Sequence, residues 1–160
     1  MIRIIGIGSP FGDDRAAWEV IAKLAGNQPR QVELVTLNQP GAGLINWFDG
    51  VEHLILVDTL LSPEPAPPFL CIDPEALAAG TSRLGSHGQQ LRETLALATT
   101  LNCLPARTEI YAVALPNVDP ENLNPATVQA AHALALHLAA RIQSAGHPAA
   151  QGEQPENNRQ

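Results

Sequence analysis

The chain opens with an apolar run, a glycine-rich turn and a helical pattern, and this opening constrains the fold more than any later segment. The apolar run covers residues 2–5, and the turn runs from Gly6 to Asp14. Apolar residues then recur at helical spacing through residues 17–24. Glycines allow backbone conformations that a side chain would forbid, and Pro10 fixes one dihedral angle of the turn. The pattern predicts a strand, a turn and a helix, in that order.

The turn ends on two adjacent aspartates, Asp13 and Asp14. Either of them can cap the following helix by accepting hydrogen bonds from backbone N–H groups that have no partner within the helix. One carboxylate is sufficient for that role. The other lies at the carboxyl end of a strand, where open α/β sheets bind their ligands. A purely structural turn with a helix cap remains the alternative.

A dinucleotide-binding loop is a competing interpretation of the same turn. Gly6 and Gly8 begin that fingerprint, but Phe11 stands where its third glycine is required. Two carboxylates at the start of the helix would repel a pyrophosphate. The second predicted strand also ends, at Leu37, without an acidic residue for a ribose. These missing parts argue against nucleotide binding.

The rest of the chain has the pattern of an α/β domain. Further strands are expected at residues 31–37, 53–58, 69–72 and 109–115, and further helices at residues 44–48, 87–101 and from 125 onward, with Asn124 as the cap of the last. The prolines before residue 69 leave little room for a crossover helix, so this strand is expected at an antiparallel edge. We predict an α/β three-layer sandwich: a central, mostly parallel twisted sheet of about five strands, helices on both faces and one antiparallel edge strand. The domain is expected to cover residues 1–143, and residues 144–160 to form a disordered tail.

A second carboxylate follows the most apolar of the predicted strands. Residues 53–57 form a nearly continuous apolar run that stops on Asp58, a pattern typical of a parallel strand buried on both faces. With right-handed connections and the strand order two, one, three, the first and third strands are neighbours. Asp14 and Asp58 then face one crevice. From spacing alone, a turn-forming role for Asp58 is equally compatible.

His87 is the third candidate site residue. Ser86 and Gln89 have the spacing of a capping box, which predicts that His87 lies in the first turn of the following helix. The positive end of the helix dipole disfavours the imidazolium form and leaves a neutral ring that can bind a metal. The alternative is an ordinary polar residue at a helix end. His87 gains functional meaning only if it faces the two aspartates.

Two carboxylates and one imidazole at a sheet edge admit several kinds of site. They can form a metal site, an acid/base pair or, for Asp14 and Asp58 alone, an aspartic dyad. The mixed oxygen and nitrogen ligands suit a borderline divalent ion such as Ni²⁺, Zn²⁺ or Mn²⁺, and three protein ligands leave positions open for water or substrate. No serine or cysteine nucleophile beside a histidine is visible in the sequence, because Ser86 is assigned to the helix cap.

Charge and cysteine content argue against other classes of protein. Nine basic and sixteen acidic residues give a net charge of −7 without a Lys/Arg cluster, so no nucleic-acid or anionic membrane partner is expected. Cys71 and Cys103 lack Cys-x-x-Cys spacing and are expected to be buried free thiols. No apolar run approaches the ~20 residues that span a bilayer. We expect a cytoplasmic protein.

The sequence resembles the hydrogenase maturation proteases at three separate places. These are the glycine-rich turn that ends at Asp14, the strand that ends at Asp58, and His87 before a leucine-bearing helix. The resemblance extends over residues 1–142. It implies a compact α/β sandwich and an endopeptidase. Such an enzyme removes a short C-terminal peptide from the large-subunit precursor of a [NiFe] hydrogenase after nickel has been inserted.

The resemblance also implies roles for individual residues. Asp14, Asp58 and His87 match the metal-contacting positions of the family, which implies that they recognise nickel presented by the precursor rather than permanently bound. Asp14 and Asp58 are the expected catalytic residues, either as base and acid or through the metal. The turn differs from the family pattern in being one residue shorter and in having Ser9 for asparagine and Arg15 for glycine. Arg15 can pair with a carboxylate.

Two other functions are compatible with the same residues. One is a non-catalytic maturation chaperone that checks for nickel and holds the precursor without cutting it. The other is a small, unrelated metal-dependent hydrolase, which would have to bind a metal by itself. For the endopeptidase and for the chaperone, the expected partner is the hydrogenase large-subunit precursor.

Overall fold

Five strands and four α-helices make up the described part of the protein. The computed structural model describes residues 1–26, 31–38, 41–62, 66–80 and 88–145. The strands are β1 (Ile2–Ile7), β2 (Val32–Leu37), β3 (His53–Leu61), β4 (Phe69–Ile72) and β5 (Arg107–Leu115). The helices are α1 (Ala16–Ala25), α2 (Pro74–Ala78), α3 (Gly88–Thr100) and α4 (Pro125–Ala145), and 3₁₀ helices cover Gly12–Arg15 and Ala42–Trp47.

The strands form one sheet in the order β2-β1-β3-β5-β4. The first four of these are parallel to their neighbours, and β4 pairs antiparallel with β5 at the edge. Both the order two, one, three at the start and the antiparallel edge strand are therefore confirmed. The order also makes β1 and β3 direct neighbours, and the position of the candidate site depends on that.

Helices cover both faces of the sheet and complete the predicted three-layer sandwich. On one face α1 and α4 pack against each other and against the sheet. On the other face lie α2, α3 and the 3₁₀ helix Ala42–Trp47. Since helices cover it from both sides, β3 is buried from His53 to Thr59. This explains why its sequence is nearly continuously apolar rather than alternating.

Helix α2 was absent from the prediction, although a short start signal precedes it. Asp73 is its N-cap and accepts a hydrogen bond from the N–H of Glu75 at 3.0 Å, and Pro74 occupies the first helical position. The helix is only five residues long, so its sequence has too few turns for a helical period to be visible. It buries Leu77 beneath the face that also carries α3.

The last helix confirms the predicted cap at Asn124 but runs further than expected. It continues to Ala145 and so includes Ser144 and Ala145, the first two residues of the predicted tail. Residues 146–160 lie outside the described part of the chain. Within the described residues, no helix is both long and apolar enough to cross a membrane.

The two cysteines are free, as predicted, but they are not both buried. Cys71 is exposed and Cys103 is half-buried. The prediction of burial was wrong for Cys71 because β4 is an edge strand of four residues. One side of such a strand has no neighbouring strand to cover it.

Candidate functional site

Asp14 lies in the turn between β1 and α1. The N–H of Ser9 donates to the carbonyl oxygen of Asp14 at 3.2 Å, and the N–H of Gly8 donates to the carbonyl oxygen of Leu37 on β2 at 3.0 Å. A side chain on Gly8 would overlap the Asp14 carbonyl oxygen, so this close approach requires glycine. The side chain of Asp14 is half-buried. The turn thus holds Asp14 beside the carboxyl ends of β1 and β2.

Asp58 is fully buried within β3. Its Oδ1 accepts a hydrogen bond from the N–H of Thr59 at 2.7 Å. The strand was predicted to stop at Asp58, but β5 pairs with β3 as far as Leu61 and Leu115, so the strand continues. The turn-forming alternative for Asp58 is therefore wrong. A fully buried carboxylate is rare unless other groups compensate its charge.

The sheet brings Asp14 and Asp58 to the same edge. Strand β1 runs parallel to β3, and the last registered pair joins Gly6 to Val57, one residue before Asp58. Asp58 is therefore level with the point at which β1 leaves the sheet and enters the turn that carries Asp14. The topology behind the predicted shared edge is confirmed, while the chemical roles of the two carboxylates remain predictions.

His87 and its proposed capping partner Ser86 lie outside the described residues. Helix α3 begins at the next residue, Gly88, which is buried. This helix packs on the face of the sheet that includes Leu56. Side chains alternate along a strand, so Asp58 is on that face as well. The metal-contacting role of His87 therefore remains a prediction.

Asp13, the neighbour of Asp14, joins the turn to the far end of the chain. Its carboxylate is fully buried and accepts four hydrogen bonds from the segment that follows β5. The donors are the N–H of Asp119 at 2.8 Å, the N–H and side-chain amide of Asn124 at 2.9 and 2.8 Å, and the hydroxyl of Thr127 at 2.6 Å. In return, the N–H of Asp13 donates to the Asp119 carbonyl oxygen at 2.8 Å. We call this set of bonds the Asp13 latch.

The latch corrects the prediction that Asp13 or Asp14 caps the first helix. The residue at the N-cap of α1 is Arg15, whose side chain makes no capping hydrogen bond. Asp13 instead accepts hydrogen bonds at the start of α4, from Asn124 and Thr127. The cap signal at Asn124 was visible in the sequence, but its partner 111 residues away was not.

Hydrogen bonding keeps the Asp13 carboxylate charged. Burial by itself would raise the pKa of Asp13, but the hydrogen bonds from Thr127, Asn124 and Asp119 outweigh it and lower the pKa below its ordinary value. Four donors around one carboxylate are the kind of environment that compensates for the loss of water. Asp13 is therefore a structural anion of the site.

Arg15, which departs from the family pattern, pairs with a carboxylate of α1 rather than with Asp13 or Asp14. Its guanidinium lies 2.9 Å from Glu19 Oε1, one turn further along the chain. The partner belongs to α1, so the pair extends along the start of that helix. Arg15 is half-exposed, and exposed pairs of this spacing contribute little to stability.

A second cluster of charged groups lies near the amino ends of β3 and β5, at the end of the sheet opposite to Asp14 and Asp58. Glu109, near the start of β5, accepts hydrogen bonds from Tyr111 at 2.9 Å and from Arg107 and Arg141 at 2.9 and 2.8 Å. His53 Nε2 lies 2.8 Å from Oε1 of the same Glu109 carboxylate. Burial opposes ionisation of Glu109, but these donors outweigh it and lower its pKa to about 2. The cluster links β3, β5 and α4 and lies away from Asp14 and Asp58.

The residues at the candidate edge can take part in two kinds of chemistry. Two carboxylates can transfer protons, and carboxylate oxygens together with an imidazole nitrogen suit a borderline divalent ion. Within the described residues, no three His, Cys, Asp or Glu side chains are grouped so as to hold a metal ion. The third predicted ligand, His87, falls outside those residues.

The chain is similar in fold to solved structures of hydrogenase maturation proteases. Hydrogenase maturating endopeptidase HybD from E. coli is 24% identical, with a TM-score of 0.73 over 91% of this chain and 93% of that chain. [NiFe] hydrogenase maturation protease HybD from Thermococcus kodakarensis is 20% identical, with a TM-score of 0.68 over 88% and 97%. HycI from Thermococcus kodakarensis KOD1, also a [NiFe] hydrogenase maturation protease, is 19% identical, with a TM-score of 0.67 over 89% and 92%.

Comparison of the sequence with protein-family models and with curated proteins produced no match. The likeness therefore resides in the three-dimensional arrangement of the elements rather than in a long shared sequence. It extends over 91% of this chain in the comparison with the E. coli endopeptidase. The chain has the α/β fold of the hydrogenase maturation endopeptidases.

Proposed function

We propose that the protein is an endopeptidase of [NiFe] hydrogenase maturation. It removes a short C-terminal peptide from the large-subunit precursor after nickel has been inserted. The observation that carries the proposal is the placement of Asp14 and Asp58 at one edge of the sheet, on the fold of proteins described as hydrogenase maturation proteases. The match of fold over about nine-tenths of the chain supports it.

Nickel enters this proposal as part of the substrate. Asp14, Asp58 and His87 offer two oxygen donors and one nitrogen donor, which suit a borderline divalent ion. An ion held by the precursor has part of its coordination shell filled already, and an open site on a second protein can complete it. Recognition of that ion would prevent cleavage of a precursor that has not received nickel. The partner is therefore the metal-bearing precursor protein.

Asp14 and Asp58 also provide the proton transfers that peptide hydrolysis requires. One carboxylate accepts a proton from the attacking water, and the other supplies a proton to the amine that leaves when the C–N bond breaks. Asp14 is half-buried while Asp58 is fully buried, so the pair offers two different environments to the two steps. Nickel carried by the substrate would polarise the scissile carbonyl or activate the water.

The proposal places the enzyme in the cytoplasm, without nucleic-acid or membrane partners. The net charge of −7 and the absence of a Lys/Arg cluster from the sequence support the exclusion of nucleic acid and anionic lipid. The precursor is then the sole macromolecular partner that the proposal requires.

The test is the intact mass of a hydrogenase large-subunit precursor incubated with the protein, with and without prior nickel loading. We expect loss of a C-terminal peptide only from the loaded precursor. Asp58→Asn keeps the shape of the side chain but removes its charge, and it should abolish cleavage. Asp49→Asn is the matched control, because Asp49 is exposed and precedes β3 at the opposite edge.

Two other outcomes would assign the protein to another class, and a third would change the role of Asp58. Association with the precursor without any shortening of it would support the nickel-checking chaperone. Tight metal binding by the isolated protein, together with hydrolysis of unrelated substrates, would support a metal-dependent hydrolase. Full cleavage by the Asp58→Asn variant would remove Asp58 from the mechanism.

A further inference from the structure

Exposed apolar side chains lie at the same edge of the sheet as the candidate site. Phe11 is 71% exposed in the turn that carries Asp14, and Val118 is 48% exposed in the loop after β5. Leu61, at the end of β3, is exposed as well. These are three of the seven large apolar side chains that are exposed in the described residues. Exposed apolar side chains that lie together, rather than singly, indicate an interaction surface.

Phe11 and Val118 are held close to each other. Gly12 follows Phe11 and has a φ of +53°, and a Cβ at Gly12 would overlap the carbonyl oxygen of Asp119, the residue that follows Val118. Phe11 and Val118 are therefore each adjacent in sequence to one of the two residues that form this backbone contact. We call Phe11 and Val118 the apolar tip.

The structure beneath the apolar tip is rigid. The Asp13 latch bonds the turn to the loop in both directions, between Asp13 and Asp119. The N–H of Phe11 also donates to the hydroxyl of Ser9 at 3.4 Å, within the turn itself. A backbone segment that is already held by hydrogen bonds loses little further entropy when a partner covers it. The tip has the properties of a preformed anchor.

The charge around the tip restricts the kind of partner. The carboxylate of Asp119 accepts hydrogen bonds from the backbone N–H groups of Glu121 and Asn122, each at 2.9 Å, and Glu121 itself is exposed. Asp14 lies three residues beyond Phe11 on the other side. Carboxylates border the two apolar groups, so the complementary surface on a partner is an apolar depression with a neutral or basic border.

We propose that Phe11 and Val118 dock the folded body of the precursor protein while its C-terminal segment reaches Asp14 and Asp58. This inference rests on the proposed function and adds a second contact surface to it. The tip is continuous with the candidate site, so a protein that presents a peptide to the two carboxylates must lie against it. Aromatic anchors of this kind dominate the energetics of protein interfaces.

The test compares variants of the tip with variants of equally exposed apolar residues elsewhere. Phe11→Ser, Val118→Ser and the double variant are compared with Leu101→Ser and Leu136→Ser, at positions that are 59% and 57% exposed near the end of α3 and on α4. All of these substitutions remove an exposed apolar group. Thermal unfolding of each variant checks that the fold is retained.

Binding and cleavage are measured with the nickel-loaded precursor. We expect the double variant to bind about tenfold more weakly, which is the effect of losing a modest anchor. The KM for cleavage should rise by the same factor while kcat changes less than about twofold, because the tip does not touch the reacting atoms. The two control variants should match the wild type in both measurements.

The outcomes separate this inference from the proposed function. If the wild type neither binds nor cuts the precursor, the proposed function fails and the docking inference fails with it. If the wild type binds and cuts but the double variant behaves like the controls, only the docking inference fails. A fall in kcat at unchanged KM would also overturn it, since the tip would then position Asp14 rather than bind the precursor. Self-association of the wild type that the double variant abolishes would assign the tip to a second copy of the chain.

Discussion

The Asp13 latch makes a prediction about stability that depends on a single carboxylate. Asp13→Asn preserves the size of the side chain and one of its two acceptor oxygens. The other oxygen becomes an NH₂ group, which cannot accept a hydrogen bond. In the wild type Oδ1 serves Asn124 N–H and Thr127, while Oδ2 serves Asp119 N–H and the Asn124 amide. Whichever way the amide is oriented, one backbone N–H, of Asp119 or of Asn124, loses its acceptor and faces another donor, and the side chain beside it, the Asn124 amide or the Thr127 hydroxyl, must reorient to accept a hydrogen bond.

The expected loss follows from the number and type of these bonds. Hydrogen bonds to a charged group contribute roughly 1.5–3 kcal/mol each, and a buried donor left without a partner costs about 1–3 kcal/mol. Neighbouring losses are not additive, and Asn124 is only partly buried, so its side chain regains bonds to water. We expect a decrease of about 3 kcal/mol in the free energy of unfolding at pH 7. At about 2–4 °C per kcal/mol for a chain of this size, the Tm should fall by about 6–12 °C.

The loss should depend on pH because the latch requires a charged carboxylate. The pKa of Asp13 in the folded protein is lowered from its ordinary value of 3.8. The stabilisation is therefore fully present above the unfolded pKa and is lost as the pH falls through the lower, folded pKa. The difference in stability between wild type and variant should be constant from pH 7 to about pH 5 and should narrow below about pH 4.

Urea unfolding of wild type, Asp13→Asn and the exposed control Asp49→Asn at several pH values measures this difference. The control should differ from wild type by no more than about 0.5 kcal/mol at every pH. A loss below about 1 kcal/mol for Asp13→Asn would show that the four hydrogen bonds are not maintained in solution. A loss of the same size at pH 3 and pH 7 would refute the assignment of the effect to the charge.

Three further predictions concern the site and the opposite edge of the sheet. Asp58→Asn should reduce cleavage of the nickel-loaded precursor by at least about 100-fold, since one proton transfer is removed and the contact with the precursor's nickel is weakened. Gly12→Ala should cost about 2 kcal/mol or more in unfolding free energy, because the left-handed φ of +53° disfavours a side chain and its Cβ would overlap the Asp119 carbonyl oxygen. Glu109→Gln should lower stability by about 2 kcal/mol at pH 7. Its effect should shrink as the pH falls below the unfolded value of 4.5 toward the folded pKa of about 2.

Each of these predictions has a control or a contradicting result. Wild-type cleavage by the Asp58 variant would exclude a proton-transfer role. Gly43→Ala is the control for Gly12, since a Cβ there meets nothing within 4 Å and its φ is not positive; equal effects of the two substitutions would contradict the packing argument. If the Glu109→Gln variant is as stable as the wild type at pH 7, the side chains that donate to Glu109 form equally favourable hydrogen bonds with water.

Most of the fold was predictable from the sequence because its elements have strong local signals. The turn after β1, the apolar run of β3 and the cap at Asn124 each define an element within a few residues. The order two, one, three, taken with right-handed connections, agrees with the order of the first three strands in the sheet. Two predictions were wrong where local signals are weak. Helix α2 was missed because five residues are too few to show a helical period. The end of β3 was placed too early, because β5 continues to pair with β3 beyond Asp58.

The sequence by itself determined that Asp14 follows the first strand and Asp58 the apolar run of the third, and with the strand order two, one, three this predicted that they share one edge of the sheet. Only the tertiary structure decided what the neighbouring Asp13 does. Local pattern suggested a cap for its own helix, yet its carboxylate bonds to a segment more than 100 residues away. A sequence pattern reports hydrogen bonds between residues that are near in the chain, whereas a buried charge takes its partners from whatever the fold brings next to it.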